Sequence, residues 1–118
     1  MQIFLISLII LISTQIVEAE INQLFLKNCA TCHSVQKGDK TLRAGPNLWG
    51  VVGRKAAAQK SYTMYSDVIQ KSGITWDEAN LNKWLTNSGA FMPGTSMYYM
   101  QSDESVRLNI IDYLKTLK

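Results

Sequence analysis

Apolar residues recur at helical spacing in three stretches of the chain. In the first, Ile21 to His33, residues Ile21, Leu24, Phe25, Asn28, Cys29 and Cys32 fall three and four apart and share one face. The second begins at Thr75, where Thr75-Trp76-Asp77-Glu78 has the form of a capping box, the threonine accepting from the first turn and the glutamate reaching back. Leu81, Trp84 and Leu85 follow as its apolar stripe. The third runs from Asp103 to Leu117, with Ser102 as its cap and two acids in its first turn. Val106, Ile110, Tyr113, Leu114 and Leu117 line its inner side. A shorter helix is predicted from Tyr65 to Lys71, ended by Ser72-Gly73.

Between these lie Ser34 to Lys60, rich in Gly and Lys, and Ser88 to Gln101, built around Pro93-Gly94. Neither alternates as a strand would, and no internal repeat is present. The pattern predicts an all-α domain of three main helices and a short one, joined by long loops. Loops of that length are uncommon in a small domain unless they serve a function. Here they point to something other than polypeptide at the centre.

Ahead of the first helix, Ile3 to Ile12 is apolar but for Ser7, and no charged side chain precedes Glu18. This is the character of a secretory signal peptide, and Val17-Glu18-Ala19 offers a small-x-small cleavage site after Ala19. No basic side chain stands at its start. The rival reading is an uncleaved N-terminal membrane anchor. A bilayer core of ~30 Å takes ~20 apolar residues to span, whereas Ile3 to Val17 supplies fifteen, four of them polar. Both readings divide the chain into a leader, residues 1–19, and one domain, residues 20–118, and put that domain outside the cytoplasm.

Composition narrows what the domain can be. The 118 residues include 12 basic and 9 acidic side chains, one His, two Cys and five Met, with 47% hydrophobic and 18% charged. That is a folded chain rather than a disordered one. The net charge is +3, or +4 without the leader (12 basic against 8 acidic), and no basic run is present; this excludes a dedicated nucleic-acid binder. Two cysteines cannot build a disulfide framework. With a single histidine they leave a structural zinc short of its fourth ligand.

The cysteines and the histidine stand together as Cys29-Ala30-Thr31-Cys32-His33. C-x-x-C-H is the attachment pattern of c-type haem. Cysteines three apart on a helical turn present both sulfurs to one side, where they can reach the two vinyl groups of one porphyrin. His33 is then carried beneath the iron as a proximal ligand. Attachment consumes both thiols, so neither is redox-active, and it takes place after export, in agreement with the leader. A thioredoxin-type C-x-x-C needs a βαβ context that this chain lacks. A plain Cys29–Cys32 disulfide leaves the adjoining histidine unexplained.

The opposite face of the iron decides between carrier and catalyst, because an open position binds small molecules and a closed one exchanges electrons. His33 is the only histidine, so a second histidine ligand is excluded. A thioether is the alternative, and Met/His ligation raises the reduction potential. Met64, Met92, Met97 and Met100 are the candidates outside the leader. Methionine is ordinarily core filler. Met97 is set apart by Pro93-Gly94-Thr95-Ser96 ahead of it, a stiff turn able to hold a thioether without a helix or strand. Spacing alone ranks Met97 ahead of Met92 and Met100 without excluding them.

Five further motifs follow Cys29–His33 in order: Gly45-Pro46-Asn47-Leu48, Gly53-Arg54-Lys55, Gly73-Ile74-Thr75-Trp76, Pro93-Gly94-Thr95-Ser96-Met97 and Ile110-Ile111-Asp112-Tyr113-Leu114-Lys115. Together they resemble the class I c-type cytochromes, the family of mitochondrial cytochrome c and its small bacterial relatives, over residues 20–118. The resemblance implies the small cytochrome c fold wrapped around one haem c, bound covalently through Cys29 and Cys32, with His33 and Met97 as the iron ligands. It implies that the Pro46 carbonyl accepts the His33 ring N–H and fixes the imidazole. It implies that Arg54, Tyr65, Trp76 and Thr95 neutralise or hydrogen-bond the haem propionates, since buried carboxylates need donors or a positive partner. Phe25 is implied to cross Ile110 and Tyr113 where the terminal helices meet.

Some residues depart from the family's pattern. Ile21 stands where that crossing usually has Gly, which predicts a wider or altered crossing. Trp84 replaces a Tyr near the methionine sulfur. Ser88 stands where Pro is common, which predicts a looser methionine loop. The mitochondrial proteins ring the exposed haem edge with lysines, whereas no Lys or Arg occurs here between Lys83 and Arg107. Met92, Tyr98, Tyr99 and Met100 cluster there instead, with Asp103 and Glu104 beyond, and positive charge is left at Lys27, Lys37, Lys40, Arg43 and Lys55.

The function implied is that of a monomeric electron carrier, not an enzyme. Its redox partners would be a cytochrome bc-type quinol-cytochrome c oxidoreductase and a terminal oxidase, in a bacterial periplasm. No nucleic acid is involved, and the membrane is met only if residues 1–19 are retained. The alternatives are a membrane-anchored cytochrome c subunit of a respiratory complex, or a haem peroxidase or sensor with a labile Met97 bond.

Overall fold

The computed structural model describes residues 23–118, so the leader and Ile21 lie outside the described residues. Five helical segments follow one another: α1 (residues 23–28), α2 (Asp67–Ser72), α3 (Glu78–Thr86), α4 (Ser88–Phe91) and α5 (Glu104–Lys115). Among the described residues the only β pairing is two isolated bridges, Lys55 with Thr75 and Asn87 with Met100. No described helix is long and apolar enough to cross a membrane. The fold is all-α with long loops.

Helix α1 ends before the histidine, short of the predicted stop at His33. The Phe25 carbonyl takes the N–H groups of both Cys29 (2.8 Å) and Ala30 (3.2 Å), and the Cys29 carbonyl takes those of Cys32 (3.1 Å) and His33 (3.0 Å). The Cys32 carbonyl is claimed by Gly45 N–H at 2.9 Å, which draws the next loop across the helix end. The coil therefore tightens into turns at the cysteines.

The predicted capping box at Thr75 does not form. Thr75 pairs with Lys55, and the cap of α3 is Asp77, whose side chain accepts from Asn80 N–H at 2.7 Å. Two cap-competent residues compete here, and the one not committed to the bridge wins. Likewise Asp103 rather than Ser102 caps α5, accepting from Ser105 N–H at 2.9 Å, while the Ser102 carbonyl is taken by Arg107 at 3.1 Å. Helix α2 starts two residues later than predicted and ends at Gly73 with φ +65°, the left-handed turn that favours glycine. Helix α4 lies inside a stretch predicted to be irregular; four residues are too few to show periodicity, and Asn87 caps it by accepting from Ala90 N–H at 3.0 Å.

Helix α3 packs against both α4 and α5. Phe25, Leu81, Trp84, Leu85, Ile110, Ile111, Leu114 and Leu117 supply most of the core. The Phe25 and Tyr113 rings meet with centroids 5.3 Å apart, which brings α1 onto α5. A Lys115–Glu78 ion pair ties α5 to α3 at the surface. Arg107 is buried on α5 without a carboxylate partner among the described residues. It donates to Asn82 Oδ1 (2.8 Å) and to the carbonyls of Gln101 (2.9 Å) and Ser102, and so stitches the end of the methionine loop onto two helices.

Ser88 contradicts the looser loop predicted from the absence of proline. It is fully buried and hydrogen-bonded to both Met97 and Tyr99, so it tightens that loop.

Ile110 is 0% exposed and Asp103 caps the same helix in solvent. Ile110→Ala should therefore cost about 3 kcal/mol, and Asp103→Ala about 1 kcal/mol. Denaturant unfolding of the purified native protein, followed by helical circular dichroism, measures both.

Candidate haem site

A cavity of about 480 Å³ opens between the two long loops and helices α2, α3 and α5. Every site residue read from the sequence lines it: Cys29, Cys32, His33, Pro46, Arg54, Tyr65, Trp76, Thr95 and Met97. They come from six separate segments of the chain. Of the remaining methionines, Met64 also reaches the lining, whereas Met92 and Met100 do not.

The local structure explains how the histidine is held. His33 Nδ1 lies 2.7 Å from the Pro46 carbonyl oxygen. A carbonyl only accepts, so Nδ1 carries the proton and Nε2 keeps the lone pair. Burial holds the imidazole below its ordinary pKa, which favours the neutral ring. Gly45 lies flat against it: a Cβ there would fall 2.6 Å from Nδ1 and 2.8 Å from Nε2. No other residue fits. Burial, with the neighbouring Cys32, pushes the Cys29 thiol up to about 11. A thiol with that pKa is protonated at neutral pH and unsuited to disulfide exchange.

Beyond the histidine the loop is cross-braced. Asn47 Nδ2 donates to the carbonyls of Gln36 (2.7 Å) and Asp39 (3.0 Å), and its Oδ1 accepts from Trp49 N–H at 2.9 Å. Arg54 donates to the carbonyls of Asn47 (3.0 Å) and Trp49 (3.2 Å). Its guanidinium has no carboxylate partner among the described residues, and burial lowers its pKa without discharging it. Tyr62 and Tyr65 stack edge to face at 4.7 Å, and the Tyr62 hydroxyl donates to the Ala44 carbonyl at 2.8 Å.

The methionine side is built on a turn. Thr95 N–H reaches the Met92 carbonyl at 3.1 Å across Pro93-Gly94. Gly94 sits at φ +92°, which a type II turn requires at its third position. A Cβ there would also press on Val68 at 3.0 Å. The cluster read at the loop surface is split by the structure. Met92 is buried and Tyr99 half-buried, both packed toward the core, while Tyr98 (81% exposed) and Met100 (73%) face outward.

Several lining residues were not singled out from the sequence. Ser66 is one: its hydroxyl is buried at the start of α2 without a partner. Thr95 Oγ1 is in the same condition, on a residue 1% exposed. Trp76 and Trp84 pack edge to face at 5.1 Å, and Val51, Ile69, Leu81, Leu85, Ile110 and Leu114 complete an apolar wall. No sequence signal flags Ser66, which falls inside the helix predicted from Tyr65 to Lys71 and becomes the residue ahead of α2 only in the structure.

These features fit a haem. The cavity is apolar, as a porphyrin ring needs. Two cysteines and an imidazole nitrogen with its lone pair stand at one side, and a thioether reaches the same space. An unpaired guanidinium and two orphaned hydroxyls offer the charge and donors that two carboxylates call for.

Asp39 anchors the loop that carries the Gly45 contact, accepting from Ser34 Oγ (2.8 Å) and Thr41 N–H (2.9 Å). Those bonds lower its pKa to about 2. The unfolded chain takes up this proton near pH ~4, before the folded chain does. Asp39 thus stabilises the fold above that pH and loses its effect as the pH falls toward 2. Asp39→Asn should lower the unfolding midpoint at pH 6 and flatten its pH dependence between about 4 and 2, as measured by urea titrations across that range.

Comparison with known proteins agrees with the geometry. Residues 18–118 match the family model described as Cytochrome c. Cytochrome c of Theileria parva is 40% identical over 94 residues, covering 79% of this chain and 79% of that protein. Cytochrome c2 iso-2 of Magnetospirillum molischianum is 41% identical over 92 residues, covering 76% and 91%. The structure of cytochrome cH from Methylobacterium extorquens superimposes with a TM-score of 0.72 at 39% identity, covering 83% of this chain and 96% of that one. The chain, with its Cys29–His33 motif at the wall of an apolar cavity, belongs to the cytochrome c family, whose members carry one covalently bound haem c.

Proposed function

We propose that the protein is a one-electron carrier and not an enzyme, moving electrons from a cytochrome bc-type quinol-cytochrome c oxidoreductase to a terminal oxidase. The observation that carries this reading is the enclosure of one imidazole, His33, and one thioether, Met97, in the same apolar cavity. In this assignment Cys29 and Cys32 hold the haem, and His33 Nε2 and the Met97 sulfur are the iron ligands. The haem supplies a one-electron iron couple. With His33 and Met97 both holding the iron, no place would be left for a substrate. Pro46 keeps the proton on His33 Nδ1 and so strengthens Nε2 as a ligand. Arg54, Tyr65, Trp76, Thr95 and Ser66 serve the propionates, Arg54 with charge and the others with hydrogen bonds. The methionine ligand and the apolar wall favour the reduced state.

The carrier is assigned to a bacterial periplasm as a monomer, with residues 1–19 as its export leader. A protein isolated with that segment intact would instead be a membrane-anchored subunit. Partner docking is assigned to the face that exposes Tyr98 and Met100 beside the cavity mouth, where Met64 is also half exposed. The basic residues Lys27, Lys37, Lys40, Arg43 and Lys55 all come from the other loop and its flanks.

Absorption spectra in both redox states test haem and ligation together. The ferric protein should show the weak red band of a sulfur–iron bond, and the reduced protein should not take up carbon monoxide. Met97→Ala should lose the band, bind carbon monoxide and fall in reduction potential. A wild-type protein that binds carbon monoxide readily would refute the carrier reading in favour of a peroxidase or sensor.

Docking through tyrosine and methionine also predicts a rate of oxidation by the terminal oxidase that changes little with salt, because steering by charge is what salt screens. Stopped-flow oxidation across ionic strength checks this, and a steep decline would exclude it.

A further inference from the structure

We propose that Ser88 is the positioning residue that holds Met97 in its ligating place; this rests on the reading of Met97 as an iron ligand. Ser88 is 0% exposed at the first position of α4. Its hydroxyl donates to the Met97 carbonyl at 2.7 Å and accepts from Tyr99 N–H at 2.8 Å. Its own N–H donates to the Tyr99 carbonyl at 3.0 Å. One small side chain thus grips the backbone on both sides of Tyr98.

Nothing else does this work for Met97. Upstream, the loop is closed by the Thr95–Met92 turn, and downstream it is rejoined to the helices at Gln101, whose N–H reaches the Leu85 carbonyl at 3.0 Å. Between those points, among the described residues, the bond from Ser88 is the only hydrogen bond of the Met97 main chain. Ser88 itself is rigid, because its carbonyl accepts Met92 N–H at 2.9 Å and Asn87 caps the same turn.

A second tie runs to the first helix. The Tyr99 hydroxyl donates to Asn28 Oδ1 at 3.1 Å, and Asn28 adjoins Cys29. The segment that Ser88 grips is therefore pinned at its far end to the wall that carries the cysteines.

A thioether bound to iron is released when its loop opens, so ligation depends on the balance between closed and open loop. Removing the Ser88 hydroxyl leaves the carbonyl of Met97 and the N–H of Tyr99, both half-buried residues, without this partner in the closed state only. The open state gains accordingly, by tenfold or more. Alanine removes a single oxygen and suits a helix start, so the closed fold itself survives.

The test uses the full haem-loaded protein with Ser88→Ala. The reduced variant should bind carbon monoxide at least tenfold faster than wild type, its ferric red band should weaken, and its reduction potential should fall. Ser88→Cys, which keeps the shape with a slightly larger atom and weakens the hydrogen bond, should shift all three in the same direction by less, and serves if the alanine variant yields too little protein. Asp103→Ala, which loosens the cap of α5 away from the loop, should lower the unfolding midpoint and leave the three readouts unchanged. The proposal is overturned if Ser88→Ala matches wild type in all three, or if Asp103→Ala moves them as far for the same loss of stability. A wild-type protein that lacks the band would overturn the assignment of Met97 itself, which is a different failure.

Discussion

The rest of the structure depends on an apolar space at its middle. Val51, Leu81, Leu85, Ile110 and Leu114 belong at once to the hydrophobic core and to the cavity wall. An unfilled apolar cavity costs about 24 cal/mol per Å³, so some 480 Å³ amounts to about 12 kcal/mol, comparable with the whole stability of an ordinary domain at ~5–15 kcal/mol. A chain with five short helices cannot bear that. The fold closes because a bound group serves as its core, and attaching that group covalently makes the core permanent.

This explains why the long loops are ordered without regular structure. Each is held by a few buried polar residues that bond to main-chain atoms. Asn47 and Arg54 brace the histidine loop. Arg107 and Ser88 brace the methionine loop. Loop backbone buried against a large planar group must satisfy its N–H and C=O groups somehow, and side chains do here what a sheet would do elsewhere.

What could be read from the sequence was the part governed by local chemistry. The Cys29–His33 spacing, the Pro93-Gly94 turn and the stripes of α3 and α5 each follow from neighbours within a turn or two, and the structure brings Cys29, Cys32, His33, Met97 and the inner residues of both stripes, Leu81, Trp84, Leu85, Ile110 and Leu114, to one cavity. What escaped depended on distant partners. Thr75 lost its cap role to a bridge with Lys55, a partner twenty residues away that no local pattern names. Ser88 read as a loosening substitution because its value lies in residues nine and eleven positions away. Ser66 lay inside the helix predicted from Tyr65 to Lys71, and its unpartnered hydroxyl becomes notable only once the cavity beside it is seen.

The contact between Gly45 and the His33 ring has a consequence for the electron itself. With a glycine against one face and the Pro46 carbonyl on Nδ1, the imidazole can neither rotate nor tilt. With His33 as the proposed iron ligand, a ring held in this way would sit in nearly the same place whichever charge the metal bears. Little atomic motion would then separate the two oxidation states, and transfer would wait on how closely a partner approaches rather than on the protein relaxing.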